Sequence, residues 1–457
     1  MRKKRELPEV EPVKLKPIFG LRSGIVILSS IIAAFILIFF LLFMLPGIVN
    51  GGKYVSFTSD LTGIGVYMDG RYLGSTEGSR YFIQSGEHSV SYVKNSVEIG
   101  NDTIDISHPI FFTLLFHRSE DINVEYQKSD ELVASVNERF LSDVSSWSKV
   151  TSFAPPTTLP PLFSSYAKDM IALNESVDST LWDKAVAHIS SKEMYLDYLE
   201  ACSMLSIAPE FDATIFTPDE NAAYNYFHEV SAPSSSGDGF ISYEAATFEM
   251  GSYMGDRYPL INEKRIEVST PDFSISSRPV SEYEYALFVS ENPEWALSNK
   301  ENLISEGLVD ENYLSGVSLS IGYVSLRPIR NISYYAAQAY IDWLSRRDGV
   351  SYRLPSEAEW SYAAYSVQNK NYATSLNWAD ADSSRPQMMM GGVWEFTSSE
   401  YVPLSRILGY DCYSLENDDI IIKGGSYLNS PEEINADTVG LISKSTCSDY
   451  VGFRIAR

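Results

Sequence analysis

Between Arg22 and Lys53 the chain carries no charged side chain, and from Ile25 to Leu45 it reads IVILSSIIAAFILIFFLLFML. That run of 21 residues, at ~1.5 Å of rise each, reaches about 30 Å, the thickness of a bilayer's hydrocarbon core. It predicts a membrane-spanning helix over 24–46. Residues 53–127 change to short alternating runs: Gly65-Val66-Tyr67-Met68, Tyr81-Phe82-Ile83 and His88-Ser89-Val90-Ser91-Tyr92-Val93. Asp69-Gly70 predicts a two-residue hairpin turn, and the set predicts a small β-sandwich. Ile110 to Phe116 reads as one more buried strand, too short to cross a membrane as a helix.

Helical periodicity follows over 129–148 and again over 164–206, where Trp182, Ala185, Val186 and Ile189 share a face. Ala154 to Pro161 (APPTTLPP) cannot continue a helix and predicts an extended connector. Residues 128–231 are therefore expected to be mainly helical. Ala232 to Gly239 (APSSSGDG) has the composition of a flexible linker and marks a boundary, so 240–457 forms a separate domain. Helices in it are expected to start at Ser281, Ser333 and Ser356. Ser281 with Glu284 and Ser356 with Glu359 have capping-box spacing, which gives these glutamates and Glu357 structural roles without catalysis. Trp360 and Trp394 are expected as buried anchors.

The net charge is −25, and residues 1–23 hold seven bases against three acids, so the body beyond them carries −29. Such a body repels phosphate backbones and excludes nucleic acid as a partner. The basic residues precede the apolar run, so the positive-inside rule puts 1–23 in the cytoplasm and the bulk outside it, periplasmic or at the cell surface. The run's length and the poor cleavage site at Leu45-Pro46-Gly47-Ile48-Val49-Asn50 predict an uncleaved signal anchor. The three cysteines, Cys202, Cys412 and Cys447, show no metal spacing; Cys412 and Cys447 could pair in an oxidising compartment. The five histidines form no HxxxH pattern and read as structural or surface residues.

Two sets of strings resemble known families. VYMDGRYLGST followed by SGEHSVSY resembles the PEGA domain of bacterial surface proteins, with Thr76-Glu77-Gly78-Ser79 where the family has Pro-Glu-Gly-Ala. The resemblance implies an extracytoplasmic spacer or adhesive module without chemistry of its own. FEMGS, PVSEYEYALF, RPIRNISYYAAQAYIDWLSRRDG, YRLPSEAEWSYAA, GGVWEF, IKGGSY and VGFRIAR, in that order, resemble the sulfatase-modifying-factor family, which includes the formylglycine-generating enzyme. The implied fold is an irregular α+β domain related to C-type lectins.

The family's chemistry, as that resemblance implies it, oxidises a substrate cysteine with a copper-binding cysteine pair; a thiolate pair suits soft Cu(I). The pair's positions correspond here to Asn429 and Ile434, and Cys447 is the alternative thiol candidate. Between Asn429 and Val451 there is no arginine, whereas the family lines its cleft with them. The family's calcium-binding Asn corresponds to Gly392. Glu395 remains, and Asp380 and Asp382 are the other candidate oxygen ligands for calcium. The metal histidines of the related iron-dependent sulfoxide synthases have no counterpart pattern. The expected function is a membrane-anchored, extracytoplasmic pseudoenzyme, a binding or scaffolding module for an envelope protein or glycan. The alternatives are a sulfatase-modifying oxidoreductase that uses copper with Cys447 or Cys412, and a purely bracing role in an envelope complex.

Overall fold

The computed structural model describes residues 17, 20 and 22–457, apart from 79, 114, 117, 154–157, 211–229, 231, 236, 252–265, 368–371, 378–383, 410–417 and 431–433. The basic tail lies almost wholly outside the described residues, as do parts of the Pro-rich connector and of the linker at 232–239. The described chain divides into two compact units, one running to Arg139 and including Ser165–Ser176, the other Phe140–Ser164 with Val177–Arg457. Helix and sheet are mixed, as the sequence predicts.

In the first unit, α1 (Ser23–Phe39) passes through a π-helical turn (Phe40–Met44) into α2 (Leu45–Val49). Pro46 has no N–H to donate back into the preceding turn, which explains the altered ladder there. Together these 27 residues are long and apolar enough to cross a membrane. Seven strands follow: β1 (Gly52–Thr58), β2 (Gly65–Met68), β3 (Arg71–Ser75), β4 (Tyr81–Gln84), β5 (Gly86–Lys94), β6 (Val97–Ile106) and β7 (Ser119–Asn123). They form two sheets, ordered β4-β1-β7 and β3-β2-β5-β6. Asp69 (φ +50°) and Gly70 (φ +76°) make the turn between Met68 and Arg71, the left-handed pair a two-residue hairpin needs. Val55, Phe57, Val66, Val90 and Tyr92 are buried. The buried Lys94 ammonium lies 2.7 Å from Asp169, whose carboxylate also accepts the Thr62 N–H at 2.7 Å. Ile110 to Phe116 does not form the expected strand. Phe112 has φ +60°, and its carbonyl accepts the N–H groups of Leu115 and Phe116, closing a turn.

The division between the units falls within α3 (Asp130–Phe153) and α4 (Leu162–Leu173). In the second unit, α5 (Ser179–Ala187) and α6 (Lys192–Leu205) bring Trp182 and Tyr198 to Phe163, with ring centroids 5.5 and 5.6 Å away. Asp197 caps the start of α4 by accepting the Phe163 N–H at 2.6 Å.

The chain then builds β8 (Ser234–Ser235), β9 (Phe240–Tyr243), β10 (Ala246–Met250), β11 (Ile266–Thr270) and β12 (Phe273–Ser276). The helices α7 (Glu282–Glu291), α8 (Lys300–Ser305), α9 (Tyr334–Asp348) and α10 (Glu357–Tyr365) come next. The remaining elements are β13 (Tyr372–Ala373), β14 (Met390–Gly391), β15 (Trp394–Glu400), α11 (Pro403–Leu408), β16 (Asp419–Lys423), β17 (Val439–Ser443) and β18 (Val451–Phe453). The largest sheet of this region is ordered β17-β16-β15-β18, with β18 parallel to β15. One cluster packs Tyr285, Phe288, Tyr340 and Leu344 from α7 and α9 against Phe396 and Phe453 of that sheet. A second packs Trp360, Tyr362 and Ala363 of α10 against β9–β12.

His188 at the end of α5 sits near Asp419 and the Lys149 that pairs with it at 2.7 Å. Burial pulls its imidazole down to about 4 from the ordinary 6.5. The neutral ring is therefore favoured in the folded state. Its contribution is complete above pH 6.5 and is lost as pH falls towards 4. The loss reaches at most about 3 kcal/mol at ~1.4 kcal/mol per pH unit. Urea titrations between pH 7 and 4 should show the parent losing more stability than His188→Gln; identical slopes would rule this out.

Candidate functional site

The architecture around the signature strings rests on one device used twice. Arg278-Pro279-Val280-Ser281-Glu282-Tyr283-Glu284 and Arg353-Leu354-Pro355-Ser356-Glu357-Ala358-Glu359 share the pattern Arg-x-x-Ser-Glu-x-Glu. In each, the serine caps the helix and the last glutamate closes a capping box. The arginine grips that glutamate with two parallel bonds, 2.8 and 2.8 Å for Arg278–Glu284 and 2.6 and 2.6 Å for Arg353–Glu359. The middle glutamate is buried against a distant arginine: Glu282 with Arg330 at 3.0 Å, and Glu357 with Arg406 at 2.5 Å. Lys423, wholly buried, lies 3.6 Å from Glu357 and 5.7 Å from the Trp360 ring. Burial lowers its pKa.

Glu395 on β15 is fully buried, with both oxygens occupied. They accept from Arg454 at 2.5 and 2.7 Å and from the Trp360 indole N–H at 2.7 Å. Arg454 also donates to the carbonyls of Ser276 and Gln387, at 3.0 and 2.8 Å. A cation at Glu395 would have to displace this guanidinium. Beside it, Gly392 has φ +67°, and a Cβ there would stand 2.6 Å from Met388 Cε. The methionine fills the room an asparagine side chain would need. Asp380 and Asp382 lie outside the described residues, as does Cys412. Among the described residues no group of three or more His, Cys, Asp or Glu is placed to hold a metal.

After β16 the chain bends at Gly424-Gly425 into the stretch where the resemblance places two thiols. Asn429 closes a tight turn there. Its side-chain oxygen accepts the Ser426 N–H at 2.9 Å and the Ser426 hydroxyl at 3.1 Å. Its carbonyl accepts the Tyr372 hydroxyl at 2.6 Å. Ile434 is buried, and a Cβ on Gly425 would meet it at 2.8 Å. One position thus makes a turn and the other fills a hydrophobic contact. Neither side chain is a thiolate, so the residues present do not fit the copper centre. Cys447 is elsewhere, buried beside Tyr285 and Tyr313, and burial pushes its thiol up to about 12. The Cys447 N–H donates to Asp310 at 3.0 Å.

Sequence reasoning missed Tyr372 and the two box-gripping arginines. The arginines carried a signal, because each stands three residues before its capping serine. Tyr372 carried none.

Comparison with known proteins gives the class that these features define. A profile of the sulfatase-modifying factor enzyme 1-like domain matches residues 227–389 and 387–457, about half of the chain. The chain belongs to this family. Over 404 residues it is 25% identical to an uncharacterized protein of Borreliella burgdorferi, covering 77% of this chain and 79% of that one. Over 195 residues it is 25% identical to a hercynine oxygenase of Mycolicibacterium thermoresistibile, covering 34% of this chain and 42% of the oxygenase. Among solved structures, PvdO from Pseudomonas aeruginosa is 18% identical with a TM-score of 0.35, over 48% of this chain and 93% of that one. Treponema denticola variable protein 1 is 18% identical with a TM-score of 0.32, over 48% and 94%.

Two outcomes test this site. Glu395→Ala strands the Arg454 charge in the core and should cost about 3–5 kcal/mol. Chemical denaturation of the purified full chain measures it, and a loss under about 0.5 kcal/mol would show the pair to be dispensable. Cys447 should resist iodoacetamide at pH 8 in the folded chain and react once urea unfolds it, because the thiolate is the nucleophile. Rapid alkylation of the folded protein at Cys447 would contradict its burial.

Proposed function

We propose that this chain is a single-pass membrane protein, with its N-terminus in the cytoplasm and its bulk outside. It displays a sulfatase-modifying-factor-like domain as a binding or scaffolding module of the cell envelope. The observation that carries the reading is the double replacement at Asn429 and Ile434, one bonded into a turn and one packed against Gly425. The elevated pKa of Cys447 adds support, since a thiol held near 12 supplies almost no thiolate at neutral pH. The strand domain at 53–127, read as PEGA-like, serves as the spacer between anchor and module.

The partner is an envelope protein or glycan. Support for a contact surface comes from the loop after α8, where Ile321, Tyr323 and Val324 are 61, 73 and 58% exposed. Closely spaced large apolar side chains in water are a mark of an interaction surface.

The chemistry and the binding are tested separately. The purified full chain, given copper and a cysteine-containing sulfatase peptide, should leave the peptide's thiol mass unchanged in mass spectrometry. Turnover that Cys447→Ser abolishes would replace this reading with an oxidoreductase. In native membranes, a photo-crosslinker at Tyr323 should capture a partner, and Ile321→Ser with Val324→Ser should lose it. Recovery of self-contacts alone would remove the partner and leave a bracing role.

A further inference from the structure

The segment from Ile110 to Phe116 is apolar except at Thr113, and its described residues are not buried in the strand domain. Phe111, Leu115 and Phe116 are 52, 59 and 63% exposed. In water such a cluster would be a liability. Its neighbours show why it is tolerated. The Phe112 ring lies 5.2 Å from Phe43 and 6.1 Å from Phe39, both in the apolar N-terminal helix. The Phe112 N–H donates to the Phe43 carbonyl at 2.8 Å. That carbonyl stands in the π-helical turn before Pro46, where the helical ladder is disturbed. At Gly47 the two segments approach so closely that a Cβ would stand 2.2 Å from the Ile110 carbonyl oxygen. Gly51 is closed in the same way by the His108 ring, at 2.2 Å.

The depth of this contact follows from the helix itself. Phe43 and Phe39 lie two and six residues inside the end of the run Ile25–Leu45. At ~1.5 Å per residue that is about 3–9 Å inward. If the run spans the hydrocarbon, Phe112 stands at the same level. Irregular backbone survives at that depth only with its polar groups satisfied. Here the Phe112 N–H is bonded to the helix, and the Leu115 and Phe116 N–H groups are bonded to the Phe112 carbonyl at 3.1 and 2.9 Å. Among the described residues of this segment the exposed side chains are all apolar. Phe112 holds φ +60°, a conformation costly for a bulky residue and maintained here by the helix packed against it.

We infer that Ile110–Phe116 is a second membrane element, a wedge inserted into the leaflet where the anchor helix ends, with lipid acyl chains covering Phe111, Leu115 and Phe116. The occupant is lipid because the patch is continuous with the apolar surface of the helix, which is itself exposed at every position from Ile27 to Leu42. This inference rests on the reading of that helix as membrane-spanning. Two attachments close in space fix the strand domain's orientation at the bilayer, which one flexible tether would not do. Apolar insertion also suits a body whose net negative charge is repelled by anionic headgroups.

The test uses the full chain at one copy per lipid nanodisc, made of phosphatidylcholine and phosphatidylglycerol. A membrane-soluble carbene reagent modifies lipid-exposed residues, which peptide mass spectrometry then locates. Modification per residue in 110–116 should come within about threefold of that in 38–42 and exceed the exposed face of α3 roughly tenfold. Phe111→Glu with Leu115→Glu, both at exposed positions, should cut the 110–116 signal about tenfold and leave 25–42 unchanged. Modification of 25–42 without 110–116 would overturn the wedge and leave the anchor standing. Absence from both would overturn both readings. Protection of 110–116 that appears only when several copies share one vesicle would assign the patch to a second copy and overturn the lipid assignment.

Discussion

The C-terminal domain depends on the ion pair between Glu395 and Arg454. Both side chains are fully buried, and neither charge could stay there alone. Their bonds reach Trp360 on α10, Gln387 before β14 and Ser276 at the end of β12. Five separate stretches of chain are therefore held to one point by geometry that admits little slack. This also explains why the domain can keep its fold with short and irregular strands. The glutamate satisfies an indole N–H, and the guanidinium satisfies the carbonyls of Ser276, the last residue of β12, and of Gln387.

A second layer of fixation comes from the two Arg-x-x-Ser-Glu-x-Glu segments. In each, a helix start is capped, the capping glutamate is gripped by the arginine before it, and the first helical glutamate reaches across to another part of the domain. The local part needs nothing beyond seven consecutive residues. The distant part decides where the helix sits.

The readable features of the sequence were those set by local chemistry. The caps at Ser281, Ser333 and Ser356 and the hairpin turn at Asp69-Gly70 all have short-range causes, and all are present. The apolar run of the N-terminal helix was legible from length alone. What the sequence hid depends on partners far along the chain. Glu395 read as a cation ligand candidate because nothing near it shows that Arg454 lies against it. Ile110 to Phe116 read as a strand because an apolar run does not reveal whether a sheet or a helix will meet it. Asn429 and Ile434 were legible as replaced residues, but their present roles needed Tyr372 and Gly425 to be placed.

The reach of Arg454 has a kinetic meaning as well. It binds Ser276 across 178 residues and Glu395 across 59. Closing loops of that length costs chain entropy before any contact repays it, so folding governed by such contacts is slow. Until Arg454 arrives, Glu395 has no charge partner and the indole of Trp360 has a poorly fixed acceptor. Partial assemblies of the domain therefore gain little stability. Arg454 and the stretches it binds are therefore interdependent, because losing any one of them leaves a buried polar group without its partner.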